Sequence, residues 1–285
     1  QVIGYESSIH FGKSNHTILD NVYVKNGKKY NINGFNYHGF QNRIINSYVS
    51  NSQSCGIRMA GSSHLIQNVY ACSSGSPNMD YYISIYGGLI GVGNHIIRNC
   101  IVKRDPDDSH SGHGISVKSK GKDLHYTLIE NCEIEEVSQA IELRHSQVKY
   151  SIVRNVIATS AKGNKTVSNL ITFRDGTSFN TVENCISKGI NTGVKFTMNI
   201  KEDKGQQDGG HHNRVKNSVF INTKVIISVK GINGTALQSH DNEFINCTFY
   251  SAQNLYRLDT DFPSSNRFIN CIFSNIKNEV LRNGK

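Results

Sequence analysis

A short phrase of alternating polar and apolar positions recurs along this chain and ends each time on asparagine. It reads HTILDN at Asn21, RIIN at Asn46, HLIQN at Asn68, HIIRN at Asn99 and TLIEN at Asn131. It continues as SIVRN at Asn155, TVEN at Asn184, NRVKN at Asn217, EFIN at Asn246 and RFIN at Asn270. Successive asparagines lie 25, 22, 31, 32, 24, 29, 33, 29 and 24 residues apart. A period in this range that tolerates insertions marks a solenoid, in which each turn is one structural unit and the insertions become loops.

The alternation has strand periodicity, and the apolar positions are mostly Ile, Val and Phe, which suit a pleated, half-buried surface. Proline occurs only three times, so Gly, Asn and Ser make the turns. The pattern predicts an all-β fold: a single-stranded right-handed parallel β-helix of about ten coils, forming one domain over residues 1–285. An asparagine at a fixed corner adopts the left-handed conformation and bonds to its neighbours above and below as a ladder. Nothing resembling a capping segment precedes Gln1, so the chain is expected to be a piece of a longer protein.

A second strand recurs in each coil: GIRMAG (56–61), YISIYG (82–87), GISVKS (114–119), AIELRH (140–145), LITFRD (170–175), GVKFTM (193–198), IISVKG (226–231) and LYRLDT (255–260). Aligned on apolar positions, Met59, Ile85, Val117, Leu143, Phe173, Phe196, Val229 and Leu258 form one inward column. Side chains two apart share a strand face, and stacked strands lie about 4.8 Å apart. One outward column is therefore Arg58, Ser84, Ser116, Glu142, Thr172, Lys195, Ser228 and Arg257. The other runs through Tyr86, Lys118, Arg144 and Arg174, with His145 at the strand end. Cations on adjacent rungs repel one another, so the row fits an anion lying across it, although Glu142 and Asp175 offset part of the charge.

Composition supports this reading. Lys and Arg number 31 against 22 Asp and Glu, a formal charge of +9. Such an excess serves solubility or a polyanionic partner. The basic residues form no recognised nucleic-acid module, leaving an anionic polysaccharide as the expected partner. No apolar run of membrane-spanning length occurs. Five of the seven cysteines (Cys100, Cys132, Cys185, Cys247 and Cys271) directly follow a ladder asparagine. They are expected to stack inward as reduced, small apolar residues, while disulfides between coils stay open. The polar stretch 199–214 holds a His211–His212 pair with no partner at ligand spacing, and reads as a solvated loop that walls the groove.

The stretch GISVKSKGKDLHYTLIENCEI, followed by AIELRHSQVKYSIVRN, resembles the core motif of polysaccharide lyase family 6. Its alginate lyases and chondroitinase B are pectate-lyase-like β-helices that act on uronic-acid polymers. The resemblance covers about 40 residues and implies Lys118, in VKSK, as base and Arg144, in LRHS, as acid. The family's acidic calcium ligands precede the lysine. Here Ser111 and His113 stand at that place, with Asp105, Asp107 and Asp108 as possible calcium ligands from the loop. HGI at 113–115 and DPDD at 105–108 also resemble mannuronan C5-epimerases, which abstract the same C5 proton. The resemblances imply β-elimination, with Lys118, Arg144, His145 and Tyr86 as catalytic candidates. Arg174, Glu142, His113, Arg58 and Lys195 are the substrate-binding candidates. No cofactor is required by the sequence beyond possible calcium. Two alternatives stand beside the lyase: a phage tail β-helix, working as a homotrimer on bacterial surface glycan, and a non-catalytic glycan binder. The expected location is extracellular, at the cell surface, or on a virion.

Overall fold

The computed structural model describes residues 2–3, 7–73, 80–87, 93–104, 112–119, 121–160, 169–198, 208–230, 238–258 and 265–282. They form a parallel β-solenoid, with no helix among the described residues. Three strands recur along the coils, and some coils add a fourth, short one, as in Leu124–His125. A short strand precedes the ladder asparagine, as in Leu128–Glu130, and another follows it, as in Glu133–Glu135. A longer strand comes third, as in Gln139–Arg144. The strands before the asparagine stack into a ten-stranded sheet. The other two stacks join as one twenty-stranded sheet, because Thr248–Leu258 and Ile272–Arg282 run through both.

The ladder forms as the phrase predicts. All ten asparagines have left-handed backbone, with φ between 50° and 54°. Asn131 Nδ2 donates to Asn99 Oδ1 at 3.2 Å, and Asn155 Nδ2 donates to Asn131 Oδ1 at 3.0 Å. The seven cysteines are all free thiols. Cys100, Cys132, Cys185 and Cys247 are buried in the core, each donating to the carbonyl two residues earlier. Burial pushes the Cys185 thiol up to about 12.

A second, buried ladder lies four residues before the first. Asn180 Nδ2 donates to Asn213 Oδ1 at 3.0 Å, Asn213 to Asn242 at 3.1 Å, and Asn242 to Asn266 at 2.9 Å. In earlier coils His64 and His95 occupy the same place and accept backbone N–H groups instead. These side chains satisfy backbone donors at a corner where no strand partner can. The apolar spacing gave no sign of this column, because its members share polarity and not residue type.

Candidate active site

The long strands stack in the register read from the sequence. Tyr86, Lys118, Arg144 and Arg174 are consecutive partners. Arg58, Ser84, Ser116, Glu142, Thr172, Lys195, Ser228 and Arg257 form the adjoining column. Met59, Ile85, Val117, Leu143, Phe173, Phe196 and Val229 are buried between and beneath them. Eight successive turns thus present one continuous face.

Lys118 is 6 % exposed. Its Nζ lies 3.7 Å from the centre of the Tyr81 ring and 4.6 Å from that of Tyr86. Burial pushes its pKa down to about 8, although Glu142 opposes the shift. Tyr30, Arg58, Asp80, Tyr81 and Tyr86 enclose a cavity of about 200 Å³ with it. Arg58 Nη1 donates to Tyr30 Oη at 2.6 Å, which holds the guanidinium at the cavity wall.

Behind the lysine the charges are closely matched. Glu142 is wholly buried. It accepts from Ser116 Oγ at 2.9 Å and Arg174 Nη1 at 3.2 Å, with His113 Nδ1 at 3.5 Å. Burial alone would raise its pKa; His113, Arg174 and Arg144 outweigh that and hold the carboxyl well below the usual range. Arg144 Nε donates to Asp175 Oδ2 at 2.9 Å, and Arg174 Nε lies 3.2 Å from the same oxygen. The arginines of the row are therefore not a bare cationic strip. Asp175 occupies a left-handed corner (φ 57°) directly after Arg174, and its buried carboxylate turns back against both guanidiniums. Alternation along a strand cannot show a side chain that returns from the corner. His145 holds the equivalent corner one coil earlier, with φ 77°. Burial and then Arg144 push its imidazole down to about 4, so the ring is neutral at neutral pH.

The structure therefore gathers Tyr86, Lys118, Arg144, Arg174, Glu142, His113 and Arg58 at one place. Lys195 stands further along the same face, in a groove of about 1030 Å³ with Lys224, Arg257 and Lys277. Tyr81, which contacts Lys118 more closely than Tyr86 does, escaped the sequence reading because it precedes the aligned hexapeptides. Asp105, Asp107 and Asp108 lie outside the described residues. Among the described residues, the buried carboxylates at this place are Glu142 and Asp175, both engaged by arginine. Calcium takes six to eight oxygen ligands, more than Glu142 and Asp175 supply among the described residues.

The His211–His212 pair is not the partnerless loop expected from the sequence. Asp208–His211 forms a strand that pairs with Gln238–His240, bringing His240, Asp208 and Asp241 to the pair. Those partners come from the same loop and from the next coil, a juxtaposition set by coil register alone.

No protein-family model matches this chain, and no curated protein matches it. Solved structures do. The catalytic domain of a GH87 α-1,3-glucanase in complex with nigerose aligns over 95 % of this chain and 52 % of its own, with TM-score 0.68 and 10 % identity. An exopolygalacturonase from Thermotoga maritima aligns over 81 % and 55 %, with TM-score 0.60 and 13 % identity. A tailspike protein of E. coli bacteriophage HK620, in complex with a hexasaccharide, aligns over 93 % and 54 %, with TM-score 0.56 and 10 % identity. The chain spans about half the length of each. At these identities the likeness establishes the shared fold.

Proposed function

We propose that this chain binds an anionic, uronate-containing polysaccharide along its long-strand face and cleaves it by β-elimination at Lys118. The observation that carries the reading is the lysine itself. It is buried between two tyrosine rings, no ion pair to it stands among the described residues, and its pKa is lowered to about 8. An ordinary lysine stays charged at neutral pH and is a poor base; one at about 8 has a neutral fraction able to take a proton. Elimination needs the C5 proton removed and the uronate carboxylate neutralised, so that charge developing at the carboxylate is stabilised. Arg144 and Arg174, fixed by Asp175 and Glu142, supply oriented cationic N–H groups for that carboxylate. Tyr81 and Tyr86 flank the base, and a tyrosine hydroxyl there is a candidate to protonate the departing oxygen. Burial raises the Tyr81 pKa and keeps its hydroxyl protonated.

The oligosaccharides bound to two of the structural neighbours support a carbohydrate ligand. Elimination is favoured over hydrolysis because, among the described residues, Glu142 and Asp175 are fully enclosed and ion-paired, which leaves Asp80 as the carboxylate lining the Lys118 cavity, whereas a hydrolase needs one carboxyl that protonates the leaving oxygen and one facing the sugar. The groove around Lys195 and Arg257 supports a second reading, a glycan binder of the phage-tail kind that holds polymer without cutting it. Incubation with alginate, pectin, chondroitin and teichoic acid separates the two. The lyase generates unsaturated uronate ends on one of the first three. A binder is retained by polymer and generates none. Sedimentation shows whether the chain is a monomer or a trimer, and a trimer favours the phage-tail reading. Either activity belongs outside the cell or on a virion.

A further inference from the structure

We propose that Asp208, His211 and His240 form a zinc-type metal site on the corner between the long-strand sheet and the ten-stranded sheet, separate from the Lys118 cavity. His211 and His240 are register partners on adjacent coils. Their rings stack with planes 1° apart and centres 5.0 Å apart, so holding one ion requires the two rings to tilt towards each other from this parallel arrangement. His211 Nε2 lies 3.3 Å from Asp208 Oδ2, and His240 Nε2 lies 3.8 Å from the same oxygen. The three ligand atoms all fall within 4.8 Å of one another. Zinc bonds to imidazole nitrogen and carboxylate oxygen at about 2.0–2.2 Å, so ligand atoms at the corners of its tetrahedron stand about 3.3–3.5 Å apart. The His211–Asp208 spacing already matches that distance, and the His240 ring must close and tilt to complete the set.

The surrounding hydrogen bonds point the same way. A histidine that binds metal through one nitrogen usually donates its other N–H to a fixed partner, which sets tautomer and ring orientation. His240 Nδ1 donates to Asp241 Oδ2 at 2.8 Å, and His211 Nδ1 lies 2.8 Å from His212 Nδ1. Both outer nitrogens are thus occupied, and both Nε2 atoms are turned towards Asp208. Asp208 is tethered as well, its Oδ1 accepting from the Gly210 N–H at 2.7 Å. Three protein ligands leave a fourth position for water, a donor set that zinc takes and that other first-row divalent ions share.

The test is equilibrium dialysis of the chelator-treated chain against Zn²⁺, read by elemental analysis and by the shift in melting temperature. The proposal expects one zinc per chain at micromolar or tighter affinity, with a raised melting temperature. His211→Ala and His240→Ala should each abolish stoichiometric uptake, and His10→Ala should retain it. Asp241→Ala, which keeps all three ligands, should weaken binding about 10–100-fold. No uptake by the wild-type chain, uptake only at millimolar zinc, or uptake that survives both histidine variants overturns the proposal. These readouts are independent of activity on any polysaccharide.

Discussion

Lys118 and Arg144 are register partners on adjacent coils, yet their surroundings are opposite. Arg144 is clamped by the buried Asp175 carboxylate at 2.9 Å, while Lys118 faces two aromatic rings. The arginine stays a fixed cation and the lysine is free to lose its proton. Ionised below about pH 8 and neutral above it, Lys118 can act as base only in the alkaline form. The kcat/KM for elimination should therefore climb by up to about tenfold per pH unit below 8 and level off above it. A pH–rate profile on the cleaved polymer checks this.

Tyr81 is the ring nearest the Lys118 ammonium, and we expect its exclusion of water to outweigh its cation–π attraction. Tyr81→Ala opens the wall and hydrates Lys118, so its pKa should return towards 10.5 and the profile should move to alkaline pH. Tyr81→Phe keeps the ring and should leave the inflection near its original place. Comparing the two profiles tests whether the ring, and not the hydroxyl, tunes the base.

Glu142 has a structural task. Glu142→Gln leaves Arg174 and Arg144 facing a neutral amide in a buried setting. Breaking one side of a buried pair costs about 3–5 kcal/mol, and urea unfolding should show a loss of that order. Because the native carboxyl is held well below its ordinary range, its stabilising contribution is fully present above the unfolded-state pKa. It is lost as pH falls towards the folded value. The variant should therefore lose its deficit relative to wild type only in strong acid.

Asn131 tests the external ladder. Its φ of 54° and its two ladder hydrogen bonds are both lost or strained in Asn131→Ala. Left-handed backbone costs a residue with a Cβ about 1–2 kcal/mol, and a net hydrogen bond is worth about 1 kcal/mol. Asn131→Gly removes only the hydrogen bonds, so the glycine variant should melt above the alanine variant. The reverse order would show that the corner conformation is unimportant.

Much of this architecture is legible in the sequence, because a solenoid converts spacing into stacking. Once the asparagines are aligned, the register of the Lys118–Arg144–Arg174 row follows from counting. What alignment cannot supply is the course of side chains at corners. Asp175 turns back onto the arginines, and His211 meets His240 from another coil. Burial is equally invisible: Glu142 sits at an outward position but is sealed by Ser116, His113 and Arg174. Tyr81 was missed for a simpler reason, since it lies just outside the repeated hexapeptide.

The central claim is most directly tested by measuring unsaturated uronate ends released by wild type and Lys118→Ala from the same polymer, with circular dichroism confirming the fold of each. The account predicts accumulating product for wild type and none above background for the variant, while polymer binding persists through Arg144 and Arg174. Full release of unsaturated ends by Lys118→Ala would contradict it.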